Sequence, residues 1–305
     1  MRVHLDTDLG GDTDDLCALA LLLGSPDVEV VGITTVADAE GRRRGMVEHA
    51  LKLAGQTGIP VASGAAGIFG GFAHFPGVQD ARYWPGLADL RPGPPREAIE
   101  LLETNARSGA TVIAIGPFTN LAVLETLCPG VFSNCRVFVM GGYLGKPEPG
   151  WPQWPASYDY NIQADRLAAR IVFDRLRPAF TSLNITQRTA LRRRDLPALR
   201  AGGPLARLLA VQAELHAADH DTPKLAAENP MLPHDILNFQ YDSLACAAAL
   251  GWDCVTIGEE QLELVQRDGE LQFERGAGPV RRHVSSFDPD AFARRWLQAA
   301  LNADA

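Results

Sequence analysis

An α/β fold is predicted, with an open, mostly parallel, Rossmann-like mixed sheet carrying helices on both faces. Three observations predict it. Short β-branched apolar runs alternate with helical segments along nearly the whole chain. The strand candidates are mostly continuous apolar runs rather than apolar–polar alternations, as strands covered on both faces must be. Two long loops rich in Gly, Pro and aromatic residues lie at or near strand C-terminal ends, where open α/β sheets bind ligands.

The elements follow in order. Val3-His-Leu5 is a strand, and Leu16-Cys-Ala-Leu-Ala-Leu-Leu-Leu23 has the length and apolar content of a buried helix. Val28-Glu-Val-Val-Gly-Ile-Thr-Thr-Val36 is a second, β-branched strand, residues 42–54 a helix ended at 55–58, and Ile59-Pro-Val-Ala62 a third strand. Residues 64–95 form a loop long enough to be a candidate lid. A helix at 98–108 leads to the strand Thr111-Val-Ile-Ala-Ile115, and Gly116-Pro-Phe-Thr-Asn120 turns into a helix through 127. Arg136-Val-Phe-Val-Met140 is a strand ending in Gly141-Gly142, followed by a Pro- and Trp-rich loop at 146–158. Helices are expected at 164–173, 194–216, 241–250 and 290–301, and strands at 179–183, 254–257, 262–267 and 271–275. No repeat or low-complexity linker divides the 305 residues, so 1–305 is expected to be one domain.

Apolar residues make up 46% and charged residues 21%, which excludes disordered and fibrous classes. A net charge of −9 opposes attraction to nucleic acid or anionic lipid, so a small-molecule or protein partner is expected. The five cysteines are odd in number and lack Cys-x-x-Cys spacing. They read as reduced thiols, although Cys128 and Cys135 flank a Pro-Gly turn closely enough for a disulfide to be conceivable. No stretch resembles a signal peptide or spans a bilayer, and a cytoplasmic address is expected.

Between the first strand and the first helix stand Asp6, Asp8, Asp12, Asp14 and Asp15, five carboxylates that repel one another at a ligand-binding position. A solvated acidic turn, with Asp12 or Thr13 capping the helix, is the simplest account. A divalent cation is the better one, and oxygen donors clustered with glycines point to Ca²⁺ or Mg²⁺. An EF-hand starting at Asp6 fails, because its twelfth position is Cys17, where a bidentate Glu is required. Asp6-Thr-Asp8 also fits, crudely, a Mg²⁺-dependent phosphatase whose first Asp is phosphorylated.

These residues resemble the calcium-dependent nucleoside hydrolases of the inosine-uridine type, whose signature is Asp-x-Asp-Pro-Gly-x-Asp-Asp. Asp6, Asp8, Gly10, Asp14 and Asp15 match it with two extra residues between the pairs. Gly32-Ile-Thr-Thr-Val36, Gly116-Pro-Phe-Thr-Asn120, Met140-Gly-Gly142, Asp159-Tyr-Asn161 and Asp242-Ser-Leu-Ala245 continue the resemblance in order. It implies the nucleoside hydrolase fold and hydrolysis of a ribonucleoside, or a close ribosyl analogue, to free base and ribose. It further implies Ca²⁺ held by Asp8, Asp15, the Thr119 carbonyl and Asp242, with Asp8 also the general base and Asp6 in support. Asp14 and Asn161 would grip the ribose hydroxyls, Asp159 would stand near the 5′-hydroxyl, and Met140 would pack beneath the sugar. Asn161 could instead cap a helix and Met140 be plain core. A homo-oligomer, dimer or tetramer, is expected.

Beyond the two-residue insertion, the chain departs from the family pattern at further positions. Asp38 stands where a Gly-Asn usually contacts the sugar. Tyr241 replaces the His that often protonates the leaving base, and the His234-Asp235 pair is an alternative match to that His-Asp, with spacing favouring Asp242. Trp84, with Tyr83, Trp151 and Trp154, could stack on a base or simply pin the loops. A non-catalytic Ca²⁺-dependent ribosyl-binding protein on the same scaffold is the alternative function. Asp12 has no assigned role.

Overall fold

The computed structural model describes residues 1–69, 80–87 and 93–304. Its main sheet has eight strands in the order β3-β2-β1-β4-β5-β6-β10-β9. Here β1 is Arg2–Thr7, β2 Glu29–Thr35, β3 Val61–Ser63, β4 Thr111–Ala114, β5 Val137–Met140 and β6 Ala179–Thr181, with a two-stranded pair β7 (Leu191–Arg192) and β8 (Ile236–Asn238) outside it, and β9 Val255–Arg267 and β10 Glu270–Phe287 closing the edge. All neighbours in the main sheet run parallel except β9 and β10. The strand order reverses between β1 and β4, so the crevice beyond their C-terminal ends is the topological switch point.

Period-two alternation sends successive strand residues into different cores. Ile113, Ile115, Phe138 and Met140 join one cluster, together with the helices Asp14–Leu23, Pro204–Asp219, Tyr241–Ala249 and Pro289–Asn302. Val112, Ala114, Val137 and Val139 join the other, with Phe118, Phe173, Phe180 and Phe273. Strands apolar on both sides therefore separate two helical layers, as the continuous apolar runs require.

Three segments differ from the sequence expectation. The C-terminal strands at 254–257, 262–267 and 271–275 are two long strands of one hairpin, turned at Asp268-Gly269, both with positive φ. The expected helix at 194–216 is broken into Leu196–Ala201 and Pro204–Asp219, because Gly202-Gly203-Pro204 cannot continue a helix. The helical stretch expected at 164–173 begins earlier, at Tyr160–Ala164, and resumes at Arg166–Ile171 after Asp165, whose carboxylate accepts from the Ala168 amide. Cys128 and Cys135 are free thiols.

The candidate lid at 64–95 lies partly outside the described residues. Its described turn, Ala81–Tyr83, is tied to the helix Pro204–Asp219: the Tyr83 hydroxyl donates to Asp219 at 2.9 Å, and Gln212 donates to the Tyr83 carbonyl at 2.9 Å. Tyr83 and Trp84 are buried, and Trp84 meets His49 edge to face. No helix among the described residues is long and apolar enough to cross a membrane.

The closing helix packs on the first one through Trp296, which is buried and donates its indole N–H to the Cys17 carbonyl at 3.1 Å. Trp296→Ala should lower the unfolding free energy by about 3–5 kcal/mol. An unchanged urea midpoint would show that this contact does not hold the two helices together.

Candidate active site

The acidic turn after β1 opens into a cavity of about 450 Å³ at the switch point. Asp8, Asp14, Asp15 and Asp242 all line it. Asp14 and Asp15 begin the helix Asp14–Leu23, and Asp242 sits in the first turn of Tyr241–Ala249, so two helix N-termini direct their positive ends at one acidic cluster. Carboxylate oxygens of Asp14, Asp15 and Asp242 lie within 4.8 Å of one another, and all three residues are buried. Burial and mutual repulsion hold all three carboxyls well above the ordinary range. A site of this kind, built from oxygen donors alone and short of positive charge, could hold a hard divalent cation.

Asp8 lines the same cavity beside this trio. Burial raises its carboxyl, while Arg43 lowers it. Arg43 is almost fully buried, donates to the Asp8 and Leu9 carbonyls, and bonds the Ala37 carbonyl at 3.1 Å. Thr7 donates its hydroxyl to Asp15. Gly116 is required for a steric reason: a Cβ there would come within 2.8 Å of the Asp8 carboxylate and 2.9 Å of its backbone nitrogen.

Asp6 does not line the cavity. One oxygen accepts from Thr34 and Asn120, at 2.5 and 2.7 Å, and the other has no partner; burial raises its carboxyl to about 7. A buried support, not a phosphorylated nucleophile, is what such a placement allows. Asp38 also lies off the cavity, accepting from Thr35 Oγ1 and from the amides of Arg43 and Arg44, so it holds the start of the helix Arg42–Leu53. Thr119 lies off the cavity too. It stands in the first turn of Thr119–Leu127, with its hydroxyl given to Asp165 at 2.7 Å, and Ile115 lines the cavity instead.

Asn161 and Met140 line the cavity together. The Asn161 amide donates to the Ile115 carbonyl at 2.9 Å and the Met140 carbonyl at 3.2 Å, tying the ends of β4 and β5; it lies within Tyr160–Ala164 rather than capping it. Asp159 is buried, with one oxygen accepting from the Gly142 amide at 2.6 Å and the other unpartnered, and burial raises it to about 7.

The rest of the wall is aromatic. Trp154 stacks on Tyr158 at 5.5 Å and meets Phe239 edge to face, while Phe239 stacks on Tyr241. Of the loop tryptophans, Trp154 faces the cavity, whereas Trp84 and Trp151 do not line it. His234 is exposed, and Asp235 pairs with Arg192 at 2.6 Å, so Asp242 is the carboxylate of the cluster. Sequence reasoning missed Arg43, His216, His220 and Tyr160 on the cavity wall. Arg43 fell in the stretch 42–54, read only as a helix, His216 at the end of the stretch 194–216, read as a polar helix, and His220 just beyond it.

An open, mostly parallel sheet with a buried carboxylate cluster and an aromatic wall at its switch point defines an α/β protein with a ligand-binding crevice at its strand ends. The chain belongs to the inosine-uridine preferring nucleoside hydrolase family, whose model matches residues 3–293, and is thus an enzyme that hydrolyses nucleosides. It is 30% identical over 239 residues to the pyrimidine-specific ribonucleoside hydrolase RihA of Escherichia coli O7:K1, covering 73% of this chain and 74% of that protein. Among solved structures, it resembles a purine-preferring ribonucleoside hydrolase from Gardnerella vaginalis, with TM-score 0.80 and 19% identity over 100% of this chain and 99% of that one. The plant nucleoside hydrolase PpNRh1 superimposes with TM-score 0.77 at 21% identity, covering 98% of each chain.

The raised pKa values of Asp6 and Asp159 fix the sign of a pH effect. Both carboxyls rise from 3.8 to about 7 on folding. Their contribution to stability is therefore complete below about pH 4 and is lost as pH rises through 7. Asp6→Asn keeps an acceptor for Thr34 and Asn120 and should flatten this decline in chelator-treated protein, measured by urea unfolding from pH 4 to 8. An unchanged slope would mean that Asp6 does not ionise in this range.

Proposed function

We propose that the protein is a Ca²⁺-dependent N-ribohydrolase that splits a ribonucleoside into free base and ribose. The observation that carries the reading is the convergence of the buried Asp14, Asp15 and Asp242 carboxylates on one point, beside Asp8, in a cavity large enough for a nucleoside.

Asp8, Asp15 and Asp242 would hold the ion, with Asp14 close enough to share it or to bind a sugar hydroxyl. The backbone carbonyl first expected from Thr119 is better supplied by Ile115, which lines the cavity. When bound, Ca²⁺ supplies a charged anchor for water and for ribose hydroxyls. Because Ca²⁺ acidifies water less than Zn²⁺ does, a carboxylate must still take the proton, and Asp8 is the base. Its carboxyl is raised by burial, which brings a base closer to working pH.

Scission of the N-glycosidic bond passes through an oxocarbenium-like sugar. Asp14, Asn161 and Asp159 would grip the hydroxyls of that sugar, and Met140 would support its underside. The aromatic wall of Trp154, Tyr158, Phe239 and Tyr241 suits a planar base, purine or pyrimidine. An oligomer of this chain acting in nucleoside salvage in the cytoplasm completes the reading.

Chelation should abolish ribose release from inosine, uridine or cytidine, and added Ca²⁺ should restore it. Asp8→Asn should cost about 10²–10⁴ in kcat, and Asp12→Asn far less. Reducing-sugar assays check both, and equal losses at the two positions would refute the assignment of the base to Asp8.

A further inference from the structure

The two-residue insertion in the acidic turn brings Asp12 to the cavity wall, against a helix distant in sequence. His216, in the last turn of Pro204–Asp219, lies with Nδ1 3.1 Å from the Asp12 carboxylate, at ion-pair distance but not aligned as a hydrogen bond. His220 stacks on it, ring centroids 4.0 Å apart and 22° from parallel, and its Nδ1 approaches the His216 carbonyl at 3.1 Å. His216 is buried, and all three residues line the cavity.

A departing nucleobase leaves with an electron pair on nitrogen and needs a proton donor near neutral pH. On the wall away from the carboxylate cluster, few groups can serve. Thr222 gives its hydroxyl to the Ile236 carbonyl at 3.1 Å. A phenol is ordinarily a far weaker acid than an imidazolium, about 10 against about 6.5, which sets aside the three phenols on the wall, Tyr158, Tyr160 and Tyr241. The two imidazoles remain. Of these, His216 has a carboxylate beside it, which favours the charged ring and offsets part of the burial that lowers it. Asp219 acts on it in the same sense, and His220 opposes.

We infer that His216, positioned by Asp12, is the acid that protonates the departing base. The inference rests on the hydrolase reading above. As the bond from C1′ to the base nitrogen breaks, its electron pair goes to the base, and the His216 imidazolium gives that nitrogen the proton on Nε2. Water forms the new C1′–O bond and passes its proton to Asp8. Solvent then restores both residues. His216 is the catalytic residue of the pair, and Asp12 acts through it.

The test compares a ribonucleoside with p-nitrophenyl β-ribofuranoside, whose leaving group departs unprotonated. His216→Gln should lower kcat on inosine or uridine by about 10² or more while changing the aryl riboside by less than about threefold. Asp12→Asn should shift the ratio of the two rates in the same direction by about tenfold, which a merely structural role would not do. An unchanged Ca²⁺-induced thermal shift in both variants shows that fold and ion site are intact. Equal losses on the two substrates, or no loss on nucleosides, would overturn the role of His216 while leaving the hydrolase intact. A wild-type protein that cleaves neither substrate would instead overturn the hydrolase reading and this inference with it.

Discussion

Four carboxylates buried in one place repel one another, and most of the site can be understood as a response to that repulsion. Asp8, Asp14, Asp15 and Asp242 are each raised by burial, with neighbouring carboxylates adding to the effect. Charges left unpaired inside a protein cost several kcal/mol each, so a fold that keeps them needs compensation. Two helix N-termini supply part of it, the Arg43 guanidinium another part, and the Thr7 hydroxyl a hydrogen bond to Asp15. A divalent cation would supply the largest share, so the same cost that weakens the metal-free protein becomes affinity for the ion.

The sheet makes this concentration possible. Because the strand order reverses between β1 and β4, the turns after these strands splay apart and leave a crevice instead of closing over each other. Gly116 keeps the turn after β4 close to Asp8, and Asn161 ties the carbonyls at the ends of β4 and β5 into one rim. Asp242 arrives from a helix far along the chain, carried on the same apolar layer as the first helix. Packing of these two helices against each other within one layer thus sets the distances within the cluster, and the hairpin of β9 and β10 only extends the sheet's far edge.

Chemistry within the cavity divides along its wall. The acidic side suits a sugar rich in hydroxyls, and the aromatic side with its two imidazoles suits a planar base.

The sequence by itself determined the alternation of strands and helices, the two-sided burial of the sheet, and the density of acids at a strand end. Each of these is local: an apolar run, a periodicity, a spacing. It also carried the ordered motifs that placed Asp14, Asp15, Asn161 and Asp242 near one another. Only the tertiary structure decided that Ile115, not Thr119, faces the cavity and that Asp38 holds the start of a helix. Those outcomes depend on which way a residue points once strands and helices are packed, and spacing along a chain does not encode that direction. The clearest case is Asp12 and His216, separated by 204 positions yet 3.1 Å apart. No local pattern links them, because their meeting is produced by the docking of a late helix against the first turn of the sheet.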